Sequence, residues 1–219
     1  MKKLLTIFVS ILFFVPAAFL AIAWERIPEK VPMQFGWDGE VNRYGSKLEL
    51  IFVVVLLTVV NIGVYLLLRN VHKIDPKRYG AENRNRMTRL ATVISIFITG
   101  ILCFILYCSI NQTIKPDASL ILAAVGVLFC FLGNYMFNIK PNYFAGFRLP
   151  WTLENEENWR LTHNLAGKLW FGGGLVMAIL ALLLPEKITF VIFFLILATL
   201  VIVPLVYSYR IFKRSRTQK

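Results

Sequence analysis

The sequence predicts an all-α integral membrane protein, a bundle of six transmembrane helices with a cytoplasmic amphipathic helix between the fourth and the fifth. Of the 219 residues, 58% are apolar and 16% are charged, and the mean hydropathy is +0.66. Soluble domains contain about 45–50% apolar and about 25% charged residues. Six apolar runs have the length of about 20 residues that a membrane crossing requires: Leu4–Trp24, Leu48–Leu68, Leu90–Ile110, Ala118–Ile139, Leu169–Leu184 and Ile188–Tyr207. We expect a single membrane domain over residues 1–219.

The basic residues predict the orientation of these spans. Eighteen Lys and Arg lie at the chain ends and in the second and fourth connections, whereas the other three connections hold six. The positive-inside rule therefore places both termini and the segment Lys140–Lys168 in the cytoplasm, and the loop Glu25–Lys47 outside the cell. This orientation also explains the net charge of +12, so we expect no direct binding of nucleic acid.

The first apolar run has two interpretations. Lys2 and Lys3 precede it and Ala21-Ile22-Ala23 ends it, as in a cleavable secretory signal. The run is longer than the apolar core of about 7–15 residues in such signals. We therefore expect a retained span, which makes residues 1–68 an N-terminal pair of helices with the outer loop 25–47.

The outer loop is predicted to be extended. Pro28 and Pro32 exclude a helix, and glycines supply turns. Apolar residues alternate with others, as in a short strand or an extended segment on the membrane surface: Val31, Met33, Phe35 and Trp37. Because the loop is longer than a simple connection requires, two interpretations stay open, a structured loop and a docking surface for an extracellular peptide.

Several polar features near the spans are predicted to be structural. The basic connection Arg69–Arg89 is interpreted as a solvated loop near anionic lipid, with no role for His72. Hydroxyl and amide side chains within the spans are expected to form helix–helix hydrogen bonds: Asn61, Thr88, Thr92, Ser95, Thr99 and Asn134. Gly174 and Ala178 predict close packing of the fifth span against a neighbouring helix.

The segment Lys140–Lys168 is the longest polar stretch between two spans. Two prolines and Gly146 make its first half non-helical, and Thr152 is predicted to be the N-cap of the helix that follows. Acidic residues in the first turns and aromatic residues at helical spacing predict that helix: Glu154, Glu156, Glu157, Trp159, His163, Ala166 and Trp170. Glu156 and Arg160 are expected to pair across one turn.

The sequence contains no catalytic or metal-binding motif. Cys103, Cys108 and Cys130 lie within apolar runs and match no metal-ligand spacing. We interpret His163 as a hydrogen-bonded interfacial histidine rather than a base, and we expect no enzyme activity, cofactor or metal. The middle of each predicted span lacks Asp, Glu, Lys, Arg and His, which disfavours an ion-coupled transporter.

One set of residues resembles the signature of the SdpI family of bacterial membrane immunity proteins. The residues that carry this resemblance are Asn142, Gly146, Arg148, Pro150-Trp151-Thr152-Leu153, Trp159, His163, Gly167-Lys168 and Gly173-Gly174. The outer loop resembles the domain that commonly precedes this signature, through Pro28, Val31-Pro32, Phe35, Gly39 and Gly45-Ser46-Lys47. The two stretches follow in the expected order. We therefore expect an SdpI-like region over residues 118–207, with the cytoplasmic loop 140–168.

The resemblance implies a protein of the bacterial cell membrane that protects the cell against a secreted toxin peptide attacking that membrane. In one branch of the family the protein also signals, by holding a cytoplasmic transcriptional repressor at the membrane. The expected partners are membrane lipid, the toxin and, where the protein signals, the repressor. The residues expected to contact toxin or repressor are Pro32, Phe35, Trp37, Gly39, Lys47, Asn142, Gly146, Arg148, Pro150, Trp151, Thr152, Trp159, His163 and Lys168.

Two other classes of protein stay open at this point. A small multi-span transporter or exporter of a peptide or lipid would have the same overall composition. A lipid-modifying enzyme would use Arg148, His163 and the neighbouring carboxylates at the membrane surface. Both differ from an immunity protein in what they do to the ligand, since they move or convert it rather than only bind it.

Overall fold

The computed structural model describes residues 2–36, 40–77, 79–111 and 118–217. Trp37 and Gly39, two of the expected contact residues, lie outside the described residues. The elements in chain order are α1 (Lys2–Ala23), β1 (Lys30–Phe35), β2 (Val41–Ser46), α2 (Lys47–Ile74), α3 (Gly80–Ile110), α4 (Ala118–Met136), α5 (Pro150–Glu154), α6 (Glu156–Leu183) and α7 (Glu186–Thr217). A single 3-10 turn, Trp24–Arg26, follows α1.

Six of the helices, all except α5, are long and apolar enough to cross a membrane. The predicted multi-pass membrane protein with six helical spans is therefore confirmed for the described part of the chain. α3 ends at the predicted Ile110 and α4 begins at the predicted Ala118, but α4 ends at Met136 instead of Ile139. Retention of the first span stays a prediction.

Helices α2, α3 and α7 extend beyond the predicted spans. α2 and α3 reach far into the connection Arg69–Arg89, so its interpretation as a solvated loop is wrong. The reason is that both extensions bury apolar side chains, including Val71 and Met87, on one face. α7 continues ten residues past its predicted end, and Arg214 and Arg216 in its last turn oppose the negative helix end.

The predicted amphipathic helix and the fifth span form one continuous helix, α6. Asn155 is its N-cap, because the Asn155 Oδ1 accepts a hydrogen bond of 2.9 Å from the Asn158 amide. The prediction that Thr152 caps this helix is wrong, since Thr152 lies inside the separate short helix α5. The aromatic face predicted from helical spacing is thus carried by the first turns of a membrane span.

The chain divides into two compact units. Unit 1 comprises Met1–Leu66 and Ala91–Ile121, and unit 2 comprises Leu67–Leu90 and Leu122–Lys219, so α2 and α3 contribute to both. The core of unit 1 contains Leu20, Ile27, Val31, Leu50, Val54 and Leu106. The core of unit 2 contains Met177, Phe193 and Leu200, with Phe129 and Trp170 packed against them. The single domain over residues 1–219 stays a prediction.

Strands β1 and β2 form an antiparallel hairpin, which we call the hairpin below. Val31 lies opposite Gly45, and the side chain of Val31 is fully buried against the core of unit 1. The predicted extended segment is therefore confirmed as β1, whereas its pairing with β2 was not foreseen. Ser46 accepts a hydrogen bond from the Glu49 amide and so starts α2 directly after the hairpin.

The polar stripe of α3 faces α2, as predicted. The Asn61 Nδ2 donates to the Ser95 carbonyl and to the Thr99 Oγ1, both at 3.3 Å. These residues and Thr92 are buried, whereas Thr88 is partly exposed and donates to a carbonyl of its own helix. The corresponding prediction for Asn134 is wrong: its side chain is exposed in the last turn of α4.

Helices α4 and α6 approach each other through glycines. A Cβ on Gly126 would lie 2.7 Å from the Gly174 carbonyl oxygen and 2.6 Å from the Ala178 nitrogen. A Cβ on Gly133 would lie 2.8 Å from the Gly167 carbonyl oxygen. The close packing predicted for Gly174 and Ala178 is therefore confirmed. Gly126 and Gly133 of α4 are seven residues apart, as are Gly167 and Gly174, the glycines of α6 that they contact.

Candidate functional site

The polar segment, residues 140–168, begins with a turn built around Asn142. This side chain is fully buried. Its Oδ1 accepts hydrogen bonds from the amides of Phe144 (2.9 Å) and Ala145 (2.7 Å), and its Nδ2 donates to the Lys140 carbonyl at 2.9 Å. An asparagine side chain that bonds the backbone two and three residues on imposes a turn. Asn142 is therefore a structural residue of the segment.

Gly146 and His163 fit together closely. Gly146 has φ of +100°, a region that residues with a Cβ rarely adopt. A Cβ at this position would also overlap the His163 Nε2. Both the backbone conformation and the lack of space therefore require glycine here.

His163 joins the turn to α6 through both ring nitrogens. Its Nδ1 lies 2.8 Å from the Trp159 carbonyl oxygen, and its Nε2 lies 3.0 Å from the Phe147 nitrogen. Because the Phe147 amide can only donate, Nε2 is the acceptor and Nδ1 carries the proton, so the ring is neutral. The ring also stacks on the Trp159 indole at 3.9 Å. The predicted hydrogen bonding of His163 is confirmed, whereas its place at the membrane interface stays a prediction.

Thr152 closes the turn between Phe147 and α5. Its hydroxyl lies 2.6 Å from the Phe147 carbonyl oxygen, to which it donates, and it accepts a hydrogen bond from the Leu149 amide at 3.0 Å. The side chain is fully buried. Thr152 therefore fixes the direction in which α5 leaves the turn.

Two tryptophans of α6 donate to carbonyl groups of other elements. The Trp159 Nε1 donates to the Ile139 carbonyl at 2.8 Å, and the Trp170 Nε1 donates to the Leu200 carbonyl at 2.9 Å. In a regular helix the Leu200 carbonyl would accept from residue 204, which is Pro204 and has no N–H. Trp170 thus supplies the hydrogen bond that the proline removes from α7.

The C-terminal third of α7 contacts α5 and α6 through Ser208. The Trp151 Nε1 donates to the Ser208 Oγ at 3.0 Å, and the Asn158 Nδ2 donates to the Ser208 carbonyl at 3.0 Å. The Trp151 ring also stacks on Phe212 at 5.6 Å and meets Tyr209 edge-on at the same distance. The indole N–H and the ring of Trp151, one of the expected contact residues, therefore already contact α7.

The first turn of α3 and the connection that precedes it also contact the polar segment. The Asn83 Nδ2 donates to the Lys140 carbonyl and the Asn83 Oδ1 accepts from the Lys140 amide, both at 3.1 Å. The Lys77 Nζ donates to the Leu153 carbonyl at 2.8 Å and lies 5.5 Å from the centre of the Tyr143 ring. The sequence did not indicate either residue, because these pairs are distant in the chain.

The expected contact residues of the polar segment fall into two groups. Buried or internally bonded residues shape the segment: Asn142, Gly146, Trp151, Thr152, Trp159 and His163. Arg148, Pro150 and Lys168 are exposed. Arg160, also exposed, pairs with Glu157 at 2.6 Å, one residue after the predicted partner Glu156. Only the exposed group is available to a partner without rearrangement.

The expected contact residues of the hairpin are likewise divided. Pro32 is buried. The Lys47 Nζ lies 3.2 Å from the Glu29 Oε1 and 5.2 Å from the centre of the Trp24 ring. Phe35 is paired through its backbone with Val41 at the end of β1. The hairpin belongs to unit 1 and the polar segment to unit 2.

Comparison with known proteins identifies relatives of this chain. Residues 138–208 match the SdpI/YfhL protein family, and residues 11–59 match a domain of unknown function, DUF1648. The chain is similar to the Immunity protein SdpI of Bacillus subtilis (strain 168), with 24% identity over 214 residues that cover 97% of each protein. No solved structure matches the chain. The resemblance seen in the sequence is therefore confirmed.

Proposed function

Because residues 138–208 match the SdpI/YfhL protein family, we propose that this chain belongs to that family and protects a bacterial cell against a secreted, membrane-active toxin peptide. The observation that carries this proposal is the match to the immunity protein along 97% of both chains. It includes the hairpin and the polar segment in the same order. A relative that shared only the spans would support membrane location alone.

In this proposal the hairpin faces outward and both termini and the polar segment face the cytoplasm. The distribution of Lys and Arg supports this orientation. The hairpin offers a peptide an exposed β2, in which Tyr44 is 54% exposed. An extended peptide can add to the open edge of a two-stranded sheet through backbone hydrogen bonds. Toxin held there would be kept from the lipid.

We further propose that the polar segment can bind a cytoplasmic repressor when toxin is present. Its exposed residues Arg148, Pro150 and Lys168 would form the contact surface. The continuous helices α2 and α3 contribute to both units and would transmit the change. Toxin can shift this equilibrium only as far as it binds one state more tightly than the other.

Toxin challenge of a sensitive host tests the function. We expect cells that express the chain to survive, and cells with Phe35→Ala or Trp37→Ala to lose protection at equal protein level. Arg148→Ala should keep protection if it serves only the repressor contact. A host that dies as fast with the chain as without it would refute toxin immunity.

A flux measurement separates binding from transport. Labelled toxin is incubated with vesicles that contain the purified chain, and vesicles that contain Phe35→Ala serve as the control. We expect toxin to remain accessible to added protease, because an immunity receptor needs only to bind it. Protected toxin inside the vesicles would identify an exporter instead.

A further inference from the structure

We propose that Lys77 and Arg148 form a binding site for the phosphate group of an anionic phospholipid. Both side chains contact Tyr143, which lies in the turn after α4: Lys77 faces its ring, and Arg148 bonds its backbone carbonyl. The Lys77 Nζ lies 5.5 Å from the centre of the Tyr143 ring, and the Arg148 Nη1 donates to the Tyr143 carbonyl at 2.9 Å. This inference does not depend on toxin immunity.

Most N–H groups of the Lys77 and Arg148 side chains are not used by the hydrogen bonds described above. Arg148 uses one guanidinium N–H of five, and Lys77 uses one ammonium N–H of three, on the Leu153 carbonyl. Within the described part of the chain, neither side chain forms an ion pair with a carboxylate. Asp75 accepts a hydrogen bond from the Lys77 backbone amide, not from its ammonium group. Neither cation is therefore neutralised by a carboxylate at ion-pair distance among the described residues.

The site is held in place by buried groups. Asn142 fixes the turn that carries Tyr143, through hydrogen bonds to two backbone amides. The Lys77 ammonium meets the last turn of α5, where a helix leaves carbonyl groups without partners inside the helix. Because both cations are already positioned, an anion that binds them loses less conformational freedom.

The chemistry of the two groups favours a phosphate. A guanidinium binds two oxygens of one phosphate side by side, and a lysine adds a second charge at short range. A phosphodiester of a lipid and free inorganic phosphate share this chemistry. The surroundings favour the lipid, because the turn lies between the end of α4 and the start of α6, where membrane spans meet the headgroups.

Lipid binding to purified full-length protein in a nonionic detergent tests the site. Retention of phosphatidylglycerol and of phosphatidylcholine is measured by native mass spectrometry for the parent, Arg148→Gln, Lys77→Gln and the double variant. Asn142 holds the turn through its own hydrogen bonds to the Phe144 and Ala145 amides, so the turn should persist in these variants. Arg160→Gln is the matched control, since the Arg160 guanidinium is paired with Glu157.

We expect the parent to prefer phosphatidylglycerol, and each single variant to bind it about fivefold more weakly, because a cation near an anionic lipid contributes about 1 kcal/mol. Phosphatidylcholine binding and the Arg160→Gln control should not change. Equal losses in Arg160→Gln, or none in both single variants, would overturn the site.

Two further arms identify the source of the phosphate and guard against misfolding. Inorganic phosphate is added as a competitor, and it should not displace the lipid. If it does, the site takes free phosphate and the lipid assignment is wrong.

Thermal unfolding of each variant without added lipid must match that of the parent. If Arg148→Gln fails this check, Lys77→Gln and Arg148→Lys, which keeps the charge and should retain part of the preference, decide the question. If the parent protein binds both lipids equally, the proposal is refuted. An acidic protein surface would then be the remaining partner for Lys77 and Arg148.

Discussion

The hairpin and the polar segment both connect membrane spans, but different forces shape them. The hairpin buries apolar side chains such as Val31 against the core of unit 1, and its ion pairs, including Arg43 with Glu49 at 2.6 Å, lie at the surface. The polar segment is organised by buried side chains that hydrogen-bond to the backbone, including Asn142 and His163. Hydrogen bonds depend on direction, whereas apolar burial does not. The polar segment should therefore tolerate fewer substitutions.

The largest effect is expected at Gly146. Gly146→Ala forces a side chain into a positive φ, at about 1–2 kcal/mol, and displaces the His163 ring, so we expect a total loss of about 2–4 kcal/mol in the free energy of unfolding. Thermal or detergent-induced unfolding measures it. Gly172→Ala is the control, because nothing lies within 4 Å of its Cβ position, and alanine favours a helix. Equal stability of the two variants would show that the turn adapts.

An intermediate effect is expected where Trp170 compensates for Pro204. Trp170→Phe leaves the Leu200 carbonyl without a donor, which should cost about 1–3 kcal/mol. Pro204→Ala restores an N–H within α7, so Trp170→Phe should cost less in that background. The difference between the two costs is the coupling energy of a double-mutant cycle. Strict additivity would mean that the indole does not replace the missing bond.

The smallest effect is expected at the surface of the hairpin. Arg43→Gln removes an exposed ion pair with Glu49 and should lower the free energy of unfolding by less than about 1 kcal/mol, with the difference shrinking in high salt. Val31→Ala, which removes buried apolar atoms, should cost about 2 kcal/mol. If Arg43→Gln were the more harmful of the two, the hairpin would depend on charge and the contrast with the polar segment would fail.

The architecture of this protein follows from local properties of its sequence. The six spans were predicted from runs of apolar residues, because crossing a membrane requires about 20 of them whatever their neighbours are. A short strand or an extended segment at the position of β1 was predicted from two prolines and alternating apolar residues. The hydrogen-bonded character of His163 was predicted from its place on the helix face that also carries Trp159 and Trp170.

The tertiary structure alone decided what each residue of the polar segment contacts. Asn83, Lys77 and Ser208 are distant in sequence from their partners Lys140, Leu153 and Trp151, so no spacing rule indicates them. Thr152 and Asn155 are both good N-cap residues, and only the fold determined which one starts α6. A hydrogen bond between separate helices depends on how those helices pack, whereas the length and apolarity of a span are properties of the span itself.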